Sequence, residues 1–317
     1  MGRYAVFISG PAGSGKSTLC SALIAHANTL GRNVHLVNLD PAAEHFTYTP
    51  TIDVRELVSL QDVMSELGLG PNGGLVYCFE YLLENLDWLE EQLGSFEDDY
   101  LIVDCPGQIE LYTHTNLVQR VLSFLAVSHS FRLCQLYLLE SHFVDDVTKF
   151  FAGTLSAMSA MINLEVPWIN VLSKVDLLSR GTVGSTSSAS GTSLAARRSL
   201  ERYLDPDPLL LASSANASTN PRLHALNAAV VRLVDDFSVV HFLPSDANDE
   251  QSVGTLLSHI DHAMQYGEDE EPKEPRDMDR FEDEGDGPGD EQEEVERDFE
   301  DLLSGRSGVA GAGGIEI

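Results

Sequence analysis

Directly after a strand-like run, Tyr4–Ser9, and directly before the helical stretch "TLCSALIAHANTL", the chain reads "SGPAGSGKST". Few short segments limit a fold more. Gly10, followed after four residues by Gly15, Lys16 and Ser17, has the spacing of a P-loop. A glycine-rich turn entering a helix points main-chain N–H groups and the positive helix end at one anion. Gly13 and Gly15 permit close backbone approach, Lys16 is placed to reach the β- and γ-phosphates, and the Ser17 hydroxyl is a candidate Mg²⁺ ligand. With Ser14 and Thr18 these residues form the expected phosphate-binding set.

The rest of the chain repeats the same alternation. Short runs rich in Val, Ile, Leu and Tyr stand at Tyr4–Ser9, Val34–Leu39, Tyr100–Val103, Leu133–Leu139, Trp168–Leu172 and Val239–Leu243, with helical stretches between them. Strands that are apolar on both faces and alternate with helices predict a doubly wound α/β domain, a mostly parallel sheet with helices on both faces. The longest helical candidate is Leu75–Leu93, aromatic and leucine-rich on one stripe and acidic on the other. A Gly/Ser/Thr-rich insertion at 181–193 reads as a flexible surface segment.

Apolar residues thin out after Gly267, so the sequence divides into a folded body, 1–267, and an acidic, disordered tail, 268–317. The net charge is −31, and roughly half of it lies in that tail. Such a charge opposes direct binding to nucleic acid or an anionic membrane surface. No apolar run reaches membrane-span length, and "YAVFISG" begins too early to leave room for a signal peptide. Met1-Gly2 opens like a myristoylation motif, but Val6 stands where Ser or Thr is required. The four cysteines form no CxxC pair, which fits a reducing compartment and argues against a zinc site. These readings predict a soluble intracellular protein.

Further along, "WINVLSKVDLL" carries Ser173, Lys174 and Asp176 after a strand-like run. This resembles a base-reading [NT]KxD motif, with serine in the first place; in that geometry the Asp176 carboxylate accepts from two adjacent guanine N–H donors while the Lys174 stem packs along the ring. A site built on such hydrogen bonds rejects a base lacking the donors by roughly 10⁴-fold. The chain has only four lysines, and two of them fall in these two motifs. Asp40 in "VHLVNLDPAAEHF" and Asp104 in "YLIVDCPGQIELY" each follow a strand, where ligands of parallel sheets bind. Asp104 with Gly107 has the DxxG form of a γ-phosphate switch, in which the acid holds Mg²⁺ through water. Asp40 is a candidate for accepting a proton from, or orienting, an attacking water. "GLGPNGG", Gly68–Gly74, reads locally as a turn between two amphipathic helices.

Taken in order, the P-loop, "LDPAAEHF", "GPNGG", "DCPGQIE" and "NVLSKVD" resemble the motif series of the GPN-loop GTPases, named for the tripeptide standing here as Gly70-Pro71-Asn72. The resemblance runs from about Tyr4 to Gly267. It implies a GTPase that uses Mg²⁺ and works as a heterodimer with the family's first paralogue, or as a homodimer. The Asn72 amide would then be a donor supplied in trans to the partner's phosphates, and because a neutral amide adds no full charge a slow enzyme is expected, with Asp40 and Gln108 positioning the water. It also places Leu243, with Phe242 and Pro244, near the guanine, and implies a role in RNA polymerase II assembly and nuclear import. A cytoplasmic location follows, with shuttling to the nucleus as a further expectation. Three other readings use the same phosphate loop. A small-molecule kinase would want an arginine-rich lid, a partitioning or targeting ATPase would carry an early lysine where Pro11 and Ala12 stand, and a scaffold would bind nucleotide and scarcely hydrolyse it.

Overall fold

The computed structural model describes residues 2–43, 48–94, 100–180, 203–204, 213, 216–217, 220–236 and 241–268. They all lie in one compact unit, Met1–Asp269. The insertion expected at 181–193 and the tail from 269 onward fall outside the described residues.

Seven strands form one parallel sheet: β1 (Arg3–Ser9), β2 (Val34–Asn38), β3 (Ile52–Asp53), β4 (Tyr100–Asp104), β5 (Phe131–Glu140), β6 (Trp168–Ser173) and β7 (Phe242–Pro244). Their order is β3-β2-β4-β1-β5-β6-β7, with every pairing parallel. The helices are α1 (Lys16–Thr29), α2 (Leu60–Leu67), α3 (Pro71–Glu84), α4 (Leu86–Leu93), α5 (Glu110–Thr113), α6 (Leu117–Ser128), α7 (Val147–Leu164), α8 (Val175–Arg180), α9 (His224–Asp236) and α10 (Glu250–Met264).

Side-chain alternation along β1 shows why the run is apolar throughout. Tyr4, Val6 and Ile8 face a cluster built with Leu19, Leu23, Leu256 and Ile260 of α1 and α10, while Ala5 and Phe7 face another built with α3, α6 and α7. A strand buried on both faces has no polar side to show. α10 steadies the phosphate-loop helix: Arg32, just past α1, pairs with Asp261 at 2.8 Å and lies over the Tyr266 ring.

Three local expectations change. The segment around Gly70-Pro71-Asn72 starts a helix instead of forming a turn. Gly68 closes α2 in a left-handed conformation (φ 64°), Gly70 caps α3, and Pro71 takes its first position. Proline suits that position because its missing N–H would have no intrahelical partner there. Gly74 lies where α3 crosses α2, and a Cβ would come within 2.6 Å of Leu60 Cδ1. The helix expected over Leu75–Leu93 therefore begins at Pro71, and it breaks at Asn85. There the backbone N–H and the side-chain amide both donate to Tyr81 O, at 3.1 and 2.8 Å, and α4 starts afresh. The last strand is shorter than expected, and residues 239 and 240 lie outside the described set.

All four cysteines are free and buried, and burial pushes the Cys78 thiol up to about 11 and the Cys134 thiol up to about 12. Thiolates are the reactive species, so the native protein is expected to resist thiol labelling at neutral pH and to expose four reactive groups in denaturant. Prompt labelling of the native chain would contradict the packing around β1 and β4.

Candidate functional site

Parallel pairing sets the level at which each strand ends. Ile8 of β1 pairs with Asp104 of β4, Asn38 of β2 with both Asp104 and Asp53, and Glu140 of β5 with Ser173 of β6. The residues just beyond these pairs, Gly10, Asp40, Cys105, Ser141 and Lys174, therefore leave the sheet along one edge. Gly10 (φ 140°) admits no side chain, because a Cβ would meet Leu138 O at 2.4 Å.

α1 has no side-chain cap: Gly15 occupies the N-cap with φ 90°. Its first N–H groups are left for an anion. The Lys16 ammonium donates to Gly10 O at 3.2 Å and Pro11 O at 3.1 Å, so its charge sits inside the loop it belongs to. Burial lowers its pKa, and the nearby Asp104 and Asp40 carboxylates oppose that shift. Both acids are pushed up from the usual carboxylate range by burial. For Asp104, a hydrogen bond from the Ser17 hydroxyl and the charge of Lys16 pull the other way. For Asp40, the counterweights are the Ala42 N–H, Lys16 and Arg55. Lys16, Asp40, Asp104 and Ser17 thus form one partly desolvated cluster.

The switch segment rests on the phosphate loop. A Cβ on Gly107 would stand 2.9 Å from Ala12 Cα and 3.1 Å from Lys16 Nζ, so only glycine fits there. Tyr112, fully buried, donates to Pro106 O at 2.7 Å and fixes this loop from behind. Gln108 comes next, half-buried, with its side-chain oxygen enclosed and lacking a hydrogen-bond partner.

At the other end of the cleft, Ser173 Oγ donates to Ser14 O at 2.7 Å and so joins the end of β6 to the phosphate loop. Lys174 adopts a left-handed backbone (φ 58°); its stem passes Gly15, with Cε 3.7 Å from where a Cβ would stand, and its ammonium pairs with Glu140 at 2.9 Å. Between the two motifs lies a cavity of about 210 Å³, lined on one side by Ser14, Gly15 and Thr18 and on the other by Ser173, Lys174 and Asp176. Ser245, Ala247 and Asn248 also line it, residues that patterning did not single out; the only signal was their place after the last strand. Leu243, expected against the base, instead packs on the core cluster beneath α1 and α10. Its neighbour Phe242 is buried against Phe150. Asn72 is exposed in the first turn of α3 and does not line the cavity.

A family model described as "Conserved hypothetical ATP binding protein" matches residues 8–266. GPN-loop GTPase 3 of Mycosarcoma maydis is 66% identical over 279 residues, covering 88% of this chain and 98% of that protein. GPN-loop GTPase 3 of Schizosaccharomyces pombe is 53% identical, covering 89% and 97%. The chain belongs to the GPN-loop GTPases. Its likeness to the relatives named GPN-loop GTPase 3 extends over most of the chain. A GTPase from Pyrococcus abyssi, solved in its apo form, shares the fold with a TM-score of 0.65 at 23% identity, covering 82% of this chain and 97% of that one. The sheet is therefore shared with a protein of distant sequence.

Among the described residues of this GPN-loop GTPase, no group of three or more His, Cys, Asp or Glu side chains could hold a metal ion. The buried Asp104 nevertheless leaves one carboxylate oxygen without a partner, beside the Ser17 hydroxyl. Two hard oxygen donors fit a cation that draws its remaining ligands from phosphate and water.

Because the folded-state pKa of Asp104 is raised, the nucleotide-free fold loses stability as pH rises from the ordinary carboxylate value through the raised one, and the full cost is present above the raised value. Asp104→Asn is expected to raise the Tm of nucleotide-free protein at pH 7, by about 2–4 °C per kcal/mol relieved, with the gain shrinking in acid. The same variant is expected to lose most of the thermal shift that added nucleotide and divalent cation give the wild type. A lower Tm for the nucleotide-free variant at pH 7 would contradict the assigned strain.

Proposed function

We propose that this chain hydrolyses GTP to GDP and phosphate, slowly, as one half of a dimer, and that the dimer acts as an assembly or transport factor. GTPase chemistry follows from family membership. The observation that carries the choice of nucleotide is the single cavity that joins Ser14, Gly15 and Thr18 to Lys174 and Asp176. Triphosphate gripped by α1 leaves the purine edge facing the Asp176 carboxylate.

When Mg²⁺ is bound, Ser17 and Asp104 would hold it and it would neutralise phosphate charge. The protein's own groups do the rest. Lys16 exchanges its loop carbonyls for phosphate oxygens, which recovers the charge partner that burial denies it. Gly107, in contact with the loop, offers its N–H to the γ-phosphate. Asp40 and the enclosed oxygen of Gln108 orient the attacking water.

Asn72 completes the site from the second subunit. Its exposure at the start of α3 supports this role, as do the exposed Leu67, Leu69, Tyr77 and Tyr81 on α2, α3 and the link between them, which offer apolar area for a partner. A neutral amide brings no full charge to the transition state, so turnover is slow and the nucleotide-dependent state of the dimer carries the output. By resemblance, the partner is the family's first paralogue or a second copy. The client is RNA polymerase II on its way to the nucleus, and the protein acts in the cytoplasm and shuttles. Among the described residues no helix is long and apolar enough to cross a membrane.

Titration against GTP and ATP tests the base assignment, including the ATP of the family model's description. The wild type is expected to prefer GTP by at least about 10³-fold, and Asp176→Ala to lose most of that preference through weaker GTP binding. Equal affinity for the two nucleotides in the wild type would end the reading. Asn72→Ala is expected to leave GTP binding intact and to lower kcat by about 10²-fold, the size of one lost oxyanion donor. An unchanged kcat in a dimer verified by light scattering would remove Asn72 from the site.

A further inference from the structure

Asp40 sits on a turn that two side chains hold from outside. At its start, Asn38, fully buried, accepts from Asp40 N through Oδ1 at 2.9 Å and donates through Nδ2 to Asp40 O at 3.1 Å. At its end, Arg55 Nη1 donates to Ala43 O at 2.8 Å. Inside the turn, Asp40 Oδ1 accepts from Ala42 N at 2.9 Å, so the carboxylate direction follows the turn.

Asp53 ties the two clamps together. Its Oδ1 accepts from Asn38 Nδ2 at 2.8 Å, and its carboxylate takes Arg55 Nε at 3.0 Å and Nη2 at 2.5 Å. Asp53 also accepts from Arg55 N at 3.0 Å, which caps the short turn Val54–Glu56. Burial alone would raise the Asp53 pKa, but the Arg55 guanidinium and the Asn38 amide hold it below the usual range. The edge strand β3 is two residues long and pairs Asp53 with Asn38, so its main service is to present this carboxylate. Neither Asp53 nor Arg55 lines the cavity between the two nucleotide motifs.

We propose that Arg55 is a positioning residue for hydrolysis, acting through Asp53, Asn38 and the Ala43 carbonyl to fix the Asp40 carboxylate. The inference rests on the assignment of Asp40 to the attacking water. Its signature is a defect in turnover without a defect in binding, because Lys16, Ser17, Lys174 and Asp176 keep their own supports. A guanidinium is needed and not merely a positive charge, since three bonds to Asp53 and one to Ala43 demand a planar fork.

The test compares full-length wild type, Arg55→Ala, Arg55→Lys, Asp40→Asn and the Asp40→Asn/Arg55→Ala pair. Readouts are steady-state GTP hydrolysis, affinity for a non-hydrolysable GTP analogue, and Tm. Arg55→Ala is expected to lower kcat by about tenfold to a hundredfold, the usual cost of a misplaced group, with KM and analogue affinity within about twofold of wild type. Arg55→Lys recovers part of the loss. In the Asp40→Asn background, removing Arg55 costs little more, as expected for groups acting as a unit. A wild-type kcat for Arg55→Ala, a loss seen in KM instead, or losses that multiply in full would overturn the proposal while Asp40→Asn stays slow. A wild-type kcat for Asp40→Asn would overturn the Asp40 assignment and the proposal together. If Arg55→Ala does not fold, the same cycle with Arg55→Lys separates the same outcomes.

Discussion

Main-chain hydrogen bonding between parallel strands is what the site depends on. Because Ile8, Asp104, Asn38 and Asp53 are successive partners across β1, β4, β2 and β3, one ladder fixes the level at which the phosphate loop, Asp40 and Asp104 leave the sheet. A slip of one residue would turn each side chain to the opposite face and bury the acids among leucines. That register is held by apolar contacts on both faces, in which Phe7 and Ile8 are wholly excluded from water. The chemistry at the rim thus inherits its precision from a core that contains none of it.

The rim in turn works against the fold. A lysine and two aspartates are drawn out of water without full compensation, and an oxygen of Asp104 is left unpaired. Unpaired buried polar groups are costly, and natural chains retain them where a ligand completes them. The P-loop lysine bonded to its own carbonyls is a provisional arrangement, and phosphate offers the better partner. Nucleotide binding and conformational stability are therefore the same free energy seen from two sides.

Most of the sheet was legible because a strand buried on both faces must be apolar along its length; β1, β2, β4, β5 and β6 were found to within two residues at either end. β3 was not, since two residues carry no period, and its value lies in one aspartate whose partners are distant in sequence. The phosphate and base motifs were readable from spacing because their geometry is local. Ser245, Ala247 and Asn248 were not, because nothing local marks a loop that lines a cavity formed by two other segments. The start of α3 differs for another reason. Gly-Pro-Asn-Gly satisfies the chemistry of a turn and of a helix N-terminus equally, and the packing of Gly74 on Leu60 decides between them.

The hydrogen bond from Ser173 to Ser14 O ties the end of β6 to the phosphate loop, so in the proposed binding mode the purine and phosphate ends of the cleft belong to one piece. Two contacts on one rigid piece share a single loss of rotational and translational freedom. Purine and phosphate then reinforce one another, and each half of the nucleotide alone binds more weakly than its share of the whole. Discrimination between bases is for that reason felt as a change in how firmly the reactive end is held, although the two ends never touch.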